Sequence, residues 1–225
     1  DLKVVFEHFA PDGVVLIPPL TDDAVVLEWL QEQEIPFSSI APRDPQGHIG
    51  VRMDETTAVV ELIAHLVKQG HTRIAHIKGP RAHGACQWRH AGYRQALRAA
   101  GIAYDPALGV NGQFSFGSGI PAGNALPGLA EPPTAIFAAN DDMAAGVYRV
   151  AGQRGLRIPR DLSVCGFDDT PIAGHIYPAL TTVRQPTSSM GIIATEQLIE
   201  RIRAAQGGRM VTVDHAVLVR ESTQA

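Results

Sequence analysis

The sequence predicts an α/β protein built on parallel sheets, and three observations carry that reading. Short continuous apolar runs, GVVLI over residues 13–17 and AIFA over residues 135–138, have the pattern of strands covered on both faces. Amphipathic helical stretches lie between such runs: after Asp54, the residues Val59, Leu62, Ile63, Leu66 and Val67 form one stripe. The first fifty residues read strand, helix, strand, the crossover unit that parallel pairing requires.

In order, residues 1–10 read as the end of a helix, and Pro18-Pro19 closes the strand that follows. Thr21 can cap the next helix, with Asp22 and Asp23 favourable in its first turn, running to about Gln33. Residues 35–40 form a strand and APRDPQGH, residues 41–48, a loop. The helix begun at Asp54 stops at Gly70, and a strand over residues 73–77 is broken by Gly79-Pro80. A loop carrying His83 and Gly84 leads into a helix over about residues 86–100. Residues 108–110 suggest a short strand and residues 114–119 a loop. Pro121 then suits a first helical turn, and Pro127 should kink or end that helix.

The stretch TAIFAANDDMAAGVYRV, residues 134–150, is the centre of the chain. Its buried strand runs into Asn140, Asp141 and Asp142 and directly into a helix carrying Met143, Val147 and Val150 at helical spacing, with Gly155 as its stop. A second strand, residues 162–166, ends in Phe167-Asp168-Asp169-Thr170. A helical turn through Ile172 and Ile176, an extended segment over residues 180–185, a last long helix over about residues 188–206 and one final strand over residues 211–220 complete the reading.

A chain of 225 residues can bury a large core, as one domain or as two lobes. No apolar run approaches the ~20 residues of a membrane span, and no signal pattern is visible, although a chain starting at Asp1 leaves an upstream segment open. With a net charge of −4 and no dense Lys/Arg cluster, these residues lack a nucleic-acid footprint. The two cysteines, Cys86 and Cys165, read as free buried thiols of a reducing compartment.

Polar residues collect at the carboxyl ends of strands, where open α/β sheets bind ligands: His83 with Arg89, Asn140 with Asp141, and Asp168 with Asp169. Such side chains match the adjacent hydroxyls of a polyol. Phe114 or Trp88 could lie against a sugar face or a nucleobase, or simply anchor a loop and a helix. Asn140 and Asp141 could equally cap the helix they precede. Nine histidines form no metal-ligand spacing, and no nucleophile elbow or phosphate loop occurs. The segment Gly117-Ser118-Gly119 with Gly123 is off the dinucleotide fingerprint. Catalysis, a metal and a cofactor are therefore not expected.

Six segments in order carry a resemblance: DGVVLIPP from residue 12, HLVKQGHTRIAHIKGP from 65, RHAGYRQAL from 89, PTAIFAANDDMAAG from 133, DLSVCGFDD from 161 and LTTVRQP from 180. With the closing VLVRES from residue 217, the chain resembles the effector-binding core of the lac repressor/gal repressor family of bacterial transcription regulators. The resemblance implies a type I periplasmic-binding-protein-like fold: two parallel-sheet lobes, several crossovers and a small-molecule cleft. Residues 1–51 plus 187–210 would form an incomplete N-terminal lobe, and residues 52–186 plus 211–225 the C-terminal lobe. It further implies effector contacts at Arg89, Phe114, Asn140, Asp168 and Gln185, and homodimer contacts at Val147, Tyr148, Ile172, Ile176 and Tyr177. Operator DNA would be bound only through a helix-turn-helix domain absent from these residues, in the cytoplasm, with a small sugar as effector. Two departures stand out: Ala41-Pro42-Arg43 where many members carry an acidic residue, and Ala85 where many have Ser. The alternative on the same fold is the periplasmic sugar-binding protein of a transporter.

Overall fold

The computed structural model describes residues 2–204 and 207–223. In chain order the elements are α1 (Leu2–Phe9), β1 (Val14–Leu16), α2 (Ala24–Glu32), β2 (Phe37–Ile40), β3 (Gly50–Met53), α3 (Glu55–Lys68), β4 (Ile74–Lys78) and α4 (Gly84–Ala99). They continue with β5 (Gly109–Asn111), α5 (Phe116–Ala125), β6 (Ala135–Ala138), α6 (Asp141–Gln153), β7 (Ser163–Cys165) and α7 (Pro171–His175). β8 (Thr182–Arg184), α8 (Thr187–Arg203), β9 (Met210–Val213) and β10 (Ala216–Leu218) follow.

Contacts divide the chain into two compact units. The first comprises Asp1–Met53, Ala82–Gly84 and Pro186–Asp214, around a parallel sheet in the order β1-β2-β3-β9. Helix α8 packs on β2 and β3, where the Ser38 hydroxyl donates to the Ala194 carbonyl at 2.7 Å, so a polar side chain on a buried strand stays satisfied. The cap of α2 is Asp23, which accepts from the amides of Val25 and Val26. Thr21, expected as that cap, is instead buried in a 3-10 turn over Leu20–Asp22; this turn postpones the helix to Ala24.

The second unit, Asp54–Arg81, Ala85–Gln185 and His215–Ala225, holds a parallel sheet in the order β5-β4-β6-β7 and an antiparallel ribbon of β8 and β10. All four residues of β6 are buried, as a continuous apolar run on a two-faced interior strand demands. The chain runs from β4 out to β5 and then returns on the other side of β4 as β6. The order therefore reverses between β4 and β6, and such a switch point opens a crevice at the strands' carboxyl ends.

Three expectations need correction. Residues 116–119, read as loop, begin α5, because Ser115 and Ser118 form a reciprocal capping box; Pro121 lies inside that helix, and Pro127 falls in the 3-10 turn after it. The single strand expected over residues 211–220 is two: β9 joins β3 in parallel in the first unit, and β10 pairs antiparallel with β8 in the second. β3, unassigned from sequence, is interior to its sheet between β2 and β9. The last helix ends at Arg203; the extension to Gln206 lies outside the described residues. Cys86 and Cys165 are free and buried, and no described helix is long and apolar enough to cross a membrane.

Candidate small-molecule site

The segment RHAGY sets the first member of the site, and the structure explains its spacing. Tyr93 is buried and donates to the Ile74 carbonyl at 2.7 Å, pinning α4 to β4. Gly92 faces α3: a Cβ there would stand 2.5 Å from the Thr56 carbonyl oxygen, so only glycine permits this approach of the helices. One turn earlier, Arg89 is driven inward at the carboxyl ends of the strands.

Arg89 is buried, and each arm of its guanidinium is engaged. Nε donates to Glu55 Oε2 at 2.6 Å, one terminal nitrogen donates to the Ala139 carbonyl, and the other stands 3.4 Å from Asp168 Oδ1. The Arg89 and Glu55 side chains are only 5% and 2% exposed, against 24% for Asp168. The guanidinium carbon lies 3.7 Å from the centre of the Phe167 ring and 5.7 Å from that of Phe114, within cation–π range of both. Burial opposes the charge on Arg89, but the Glu55 and Asp168 carboxylates outweigh it and raise its pKa. Burial also raises the pKa of Asp168, against the pull of Arg89 and of Gln185, whose amide donates to Asp168 Oδ1 at 2.6 Å.

Phe114 follows β5 with φ of +54°, and Asp168 and Asp169 follow β7 with φ of +112° and +57°. Left-handed backbone at three non-glycine residues is strain that the surrounding bonds must hold, and it aims these side chains. The Phe114 ring rests on Gly79, where an added Cβ would lie 2.3 Å from its Cζ. The Phe114 carbonyl accepts from Asn140 Nδ2 at 3.1 Å, while Asn140 Oδ1 caps α6 by accepting from the Met143 amide at 3.0 Å. Asn140 thus performs the cap that the sequence allowed as one alternative, leaving one Nδ2 hydrogen and one Oδ1 lone pair for anything else.

The structure therefore brings Arg89, Phe114, Asn140, Asp168 and Gln185 into one linked set at the carboxyl ends of β4 to β8. Asp141 is separate from it. Fully buried, it accepts from the Thr170 amide and hydroxyl and from the Thr182 hydroxyl at 2.6 Å, and burial raises its pKa to about 6. Asp169 holds Arg184 and Arg220 at 2.7 and 2.6 Å. Trp88 is half-buried with its carbonyl accepting from Thr56, and His83 belongs by its contacts to the first unit. Sequence reading missed Glu55: an acidic residue in a first helical turn looks like a dipole partner. Among the described residues no three His, Cys, Asp or Glu side chains are grouped to hold a metal ion.

Of the expected dimer contacts, Val147 is 1% exposed within the second unit's core and is therefore not a surface anchor. Tyr148 and Ile176 pack partly against that core, with the Tyr148 hydroxyl donating to the Pro178 carbonyl at 2.9 Å. Ile172 is half-buried, and Tyr177 is 94% exposed.

Residues 63–223 match the periplasmic binding protein-like domain family. The HTH-type transcriptional repressor CytR of Escherichia coli (strain K12) is 38% identical over 178 residues, 78% of this chain and 52% of the repressor. The structure of a LacI family transcriptional regulator from Mycobacterium smegmatis superposes with a TM-score of 0.85 at 32% identity, covering 98% of this chain and 81% of that one. The chain belongs to the LacI family. Another structure, a transcriptional regulator CelR–cellobiose complex, matches with a TM-score of 0.90 at 33% identity, covering 98% of this LacI-family chain and 68% of that one. The chain spans about half the length of the curated relatives it matches.

Proposed function

We propose that this chain is the effector-binding portion of a ligand-responsive transcription regulator that senses a small sugar or nucleoside and controls a DNA-binding domain outside these residues. The observation that carries the proposal is the linked set of Arg89, Asp168, Gln185, Asn140 and Phe114 around a sheet's switch point. These groups present a fixed guanidinium, a carboxylate, two amides and a ring face, which is an inventory for hydroxyls on one side of a ring and C–H groups on the other. The CytR repressor and the cellobiose complex of CelR support this reading over a transporter's binding protein, and a cytoplasmic home goes with it. A binding task is supported by the relatives, which are transcription regulators. The ligand acts through its differential affinity for two conformations, typically a coupling of about 1–3 kcal/mol. A homodimer, with exposed Tyr177 beside Ile172 and Ile176 as anchors, would carry the response.

The test is a thermal-shift screen of neutral sugars and nucleosides. A ligand at 100 times its dissociation constant should stabilise by about 2.7 kcal/mol. Asp168→Asn and Gln185→Ala should each weaken the best hit at least tenfold. A hit that binds both variants as it binds the parent would place the site elsewhere.

A further inference from the structure

We infer that Glu55 makes this site select uncharged polyhydroxy ligands and refuse anionic ones such as sugar phosphates and sugar acids; the inference rests on the small-molecule reading above. An arginine in a ligand site ordinarily offers its charge and its paired donors to carboxylate or phosphate oxygens. Here the charge and three of the five N–H groups are already engaged, which leaves two N–H groups for neutral hydroxyl oxygens. Glu55, nearly without solvent contact, occupies Nε at 2.6 Å, the Ala139 carbonyl takes one terminal nitrogen, and Asp168 stands 3.4 Å from the other. Two carboxylates face one guanidinium, so its positive charge is already compensated before any ligand arrives. Asp142 adds to the acidic field felt by Asp168. Gln185 and Asn140, the other polar members, bring no charge. The nearby cations Arg184 and Arg220 are paired with Asp169.

Glu55 is therefore a specificity-determining residue that acts through Arg89. It holds the guanidinium in place as a donor to hydroxyl oxygens while cancelling its pull on anions. One carboxylate on the far side of a guanidinium, roughly 8 Å from a bound anion at an effective dielectric of about 20, alters anion affinity by about tenfold or more.

The experiment is calorimetric titration of matched pairs: glucose with glucose 6-phosphate and glucuronate, ribose with ribose 5-phosphate, cellobiose with cellobionate, cytidine with cytidine monophosphate. The neutral member of whichever pair binds should bind at least about tenfold tighter than its anion. Glu55→Gln keeps an acceptor for Arg89 Nε and removes the charge, so it should narrow that ratio severalfold. An anion that binds the parent chain as tightly as its neutral partner overturns the inference while leaving small-molecule binding intact. If no pair binds, the small-molecule reading fails. The charge inference is then decided by inorganic phosphate on the parent chain, which should give no stabilisation that Arg89→Met abolishes; such a stabilisation overturns it.

Discussion

Arg89→Met should be among the most destabilising substitutions in the second unit, and the reason is the partner it leaves behind. Glu55 is 2% exposed and loses the guanidinium that compensates its charge; breaking such a buried pair costs about 3–5 kcal/mol. The Ala139 carbonyl also loses a donor and the Phe167 face loses its cation. Asp168, a quarter exposed, contributes less because solvent screens it. At about 2–4 °C per kcal/mol for a chain of this size, the midpoint should fall by roughly 6–20 °C. Removing both charges, in Arg89→Met/Glu55→Met, should recover more than half of the loss, a coupling of at least about 2 kcal/mol. The assay is urea unfolding followed by fluorescence. The two tryptophans lie one in each unit, Trp29 on α2 and Trp88 on α4, so a Trp29→Phe background reports the second unit alone. A single substitution costing under about 1 kcal/mol, or a double equal to the sum of its singles, would refute the reading of Arg89 and Glu55 as a desolvated, mutually dependent pair.

The pKa of Asp141 shifts in the opposite direction from that of an ion-paired carboxylate such as Asp161. Its folded pKa, about 6, lies above the ordinary 3.8, so the folded state holds its proton more tightly. Its contribution to stability is greatest below pH 3.8 and is lost as pH rises through 6, by up to about 3 kcal/mol. Asp141→Asn mimics the protonated form and should gain on the parent in melting temperature at pH 8 relative to pH 4; a pH-independent difference would show that the three hydrogen bonds fully offset burial. Gly92→Ala should lower the melting temperature by the equivalent of about 1–3 kcal/mol, because its Cβ would meet the Thr56 carbonyl. An unchanged melting temperature would mean that α3 and α4 can separate without loss.

Much of the fold was legible because burial on both faces leaves a mark in composition. β1 and β6 are continuous apolar runs, and α3 and α6 carry apolar stripes, so their existence follows from local pattern alone. β3 left no such mark: Gly50-Val51-Arg52-Met53 is short and carries an exposed arginine, and it is a strand because β2 and β9 flank it. Residues 211–220 alternate like one strand, and nothing local shows that the chain leaves one sheet at Asp214 and enters another at Ala216.

The sequence by itself determined a parallel α/β architecture and placed Asn140 and Asp168 at strand ends, with Arg89 on the helix after β4, since strand ends follow from where each apolar run stops. Tertiary structure decided what each of them does. Asn140 became a cap bound to Phe114, Val147 became core, and Glu55, 34 residues from Arg89, became its closest charge partner. Hydrophobic periodicity is a local property that survives in a string of letters. The partner of a buried charge is set by which elements the sheet brings together, and that distance exists only in the folded chain.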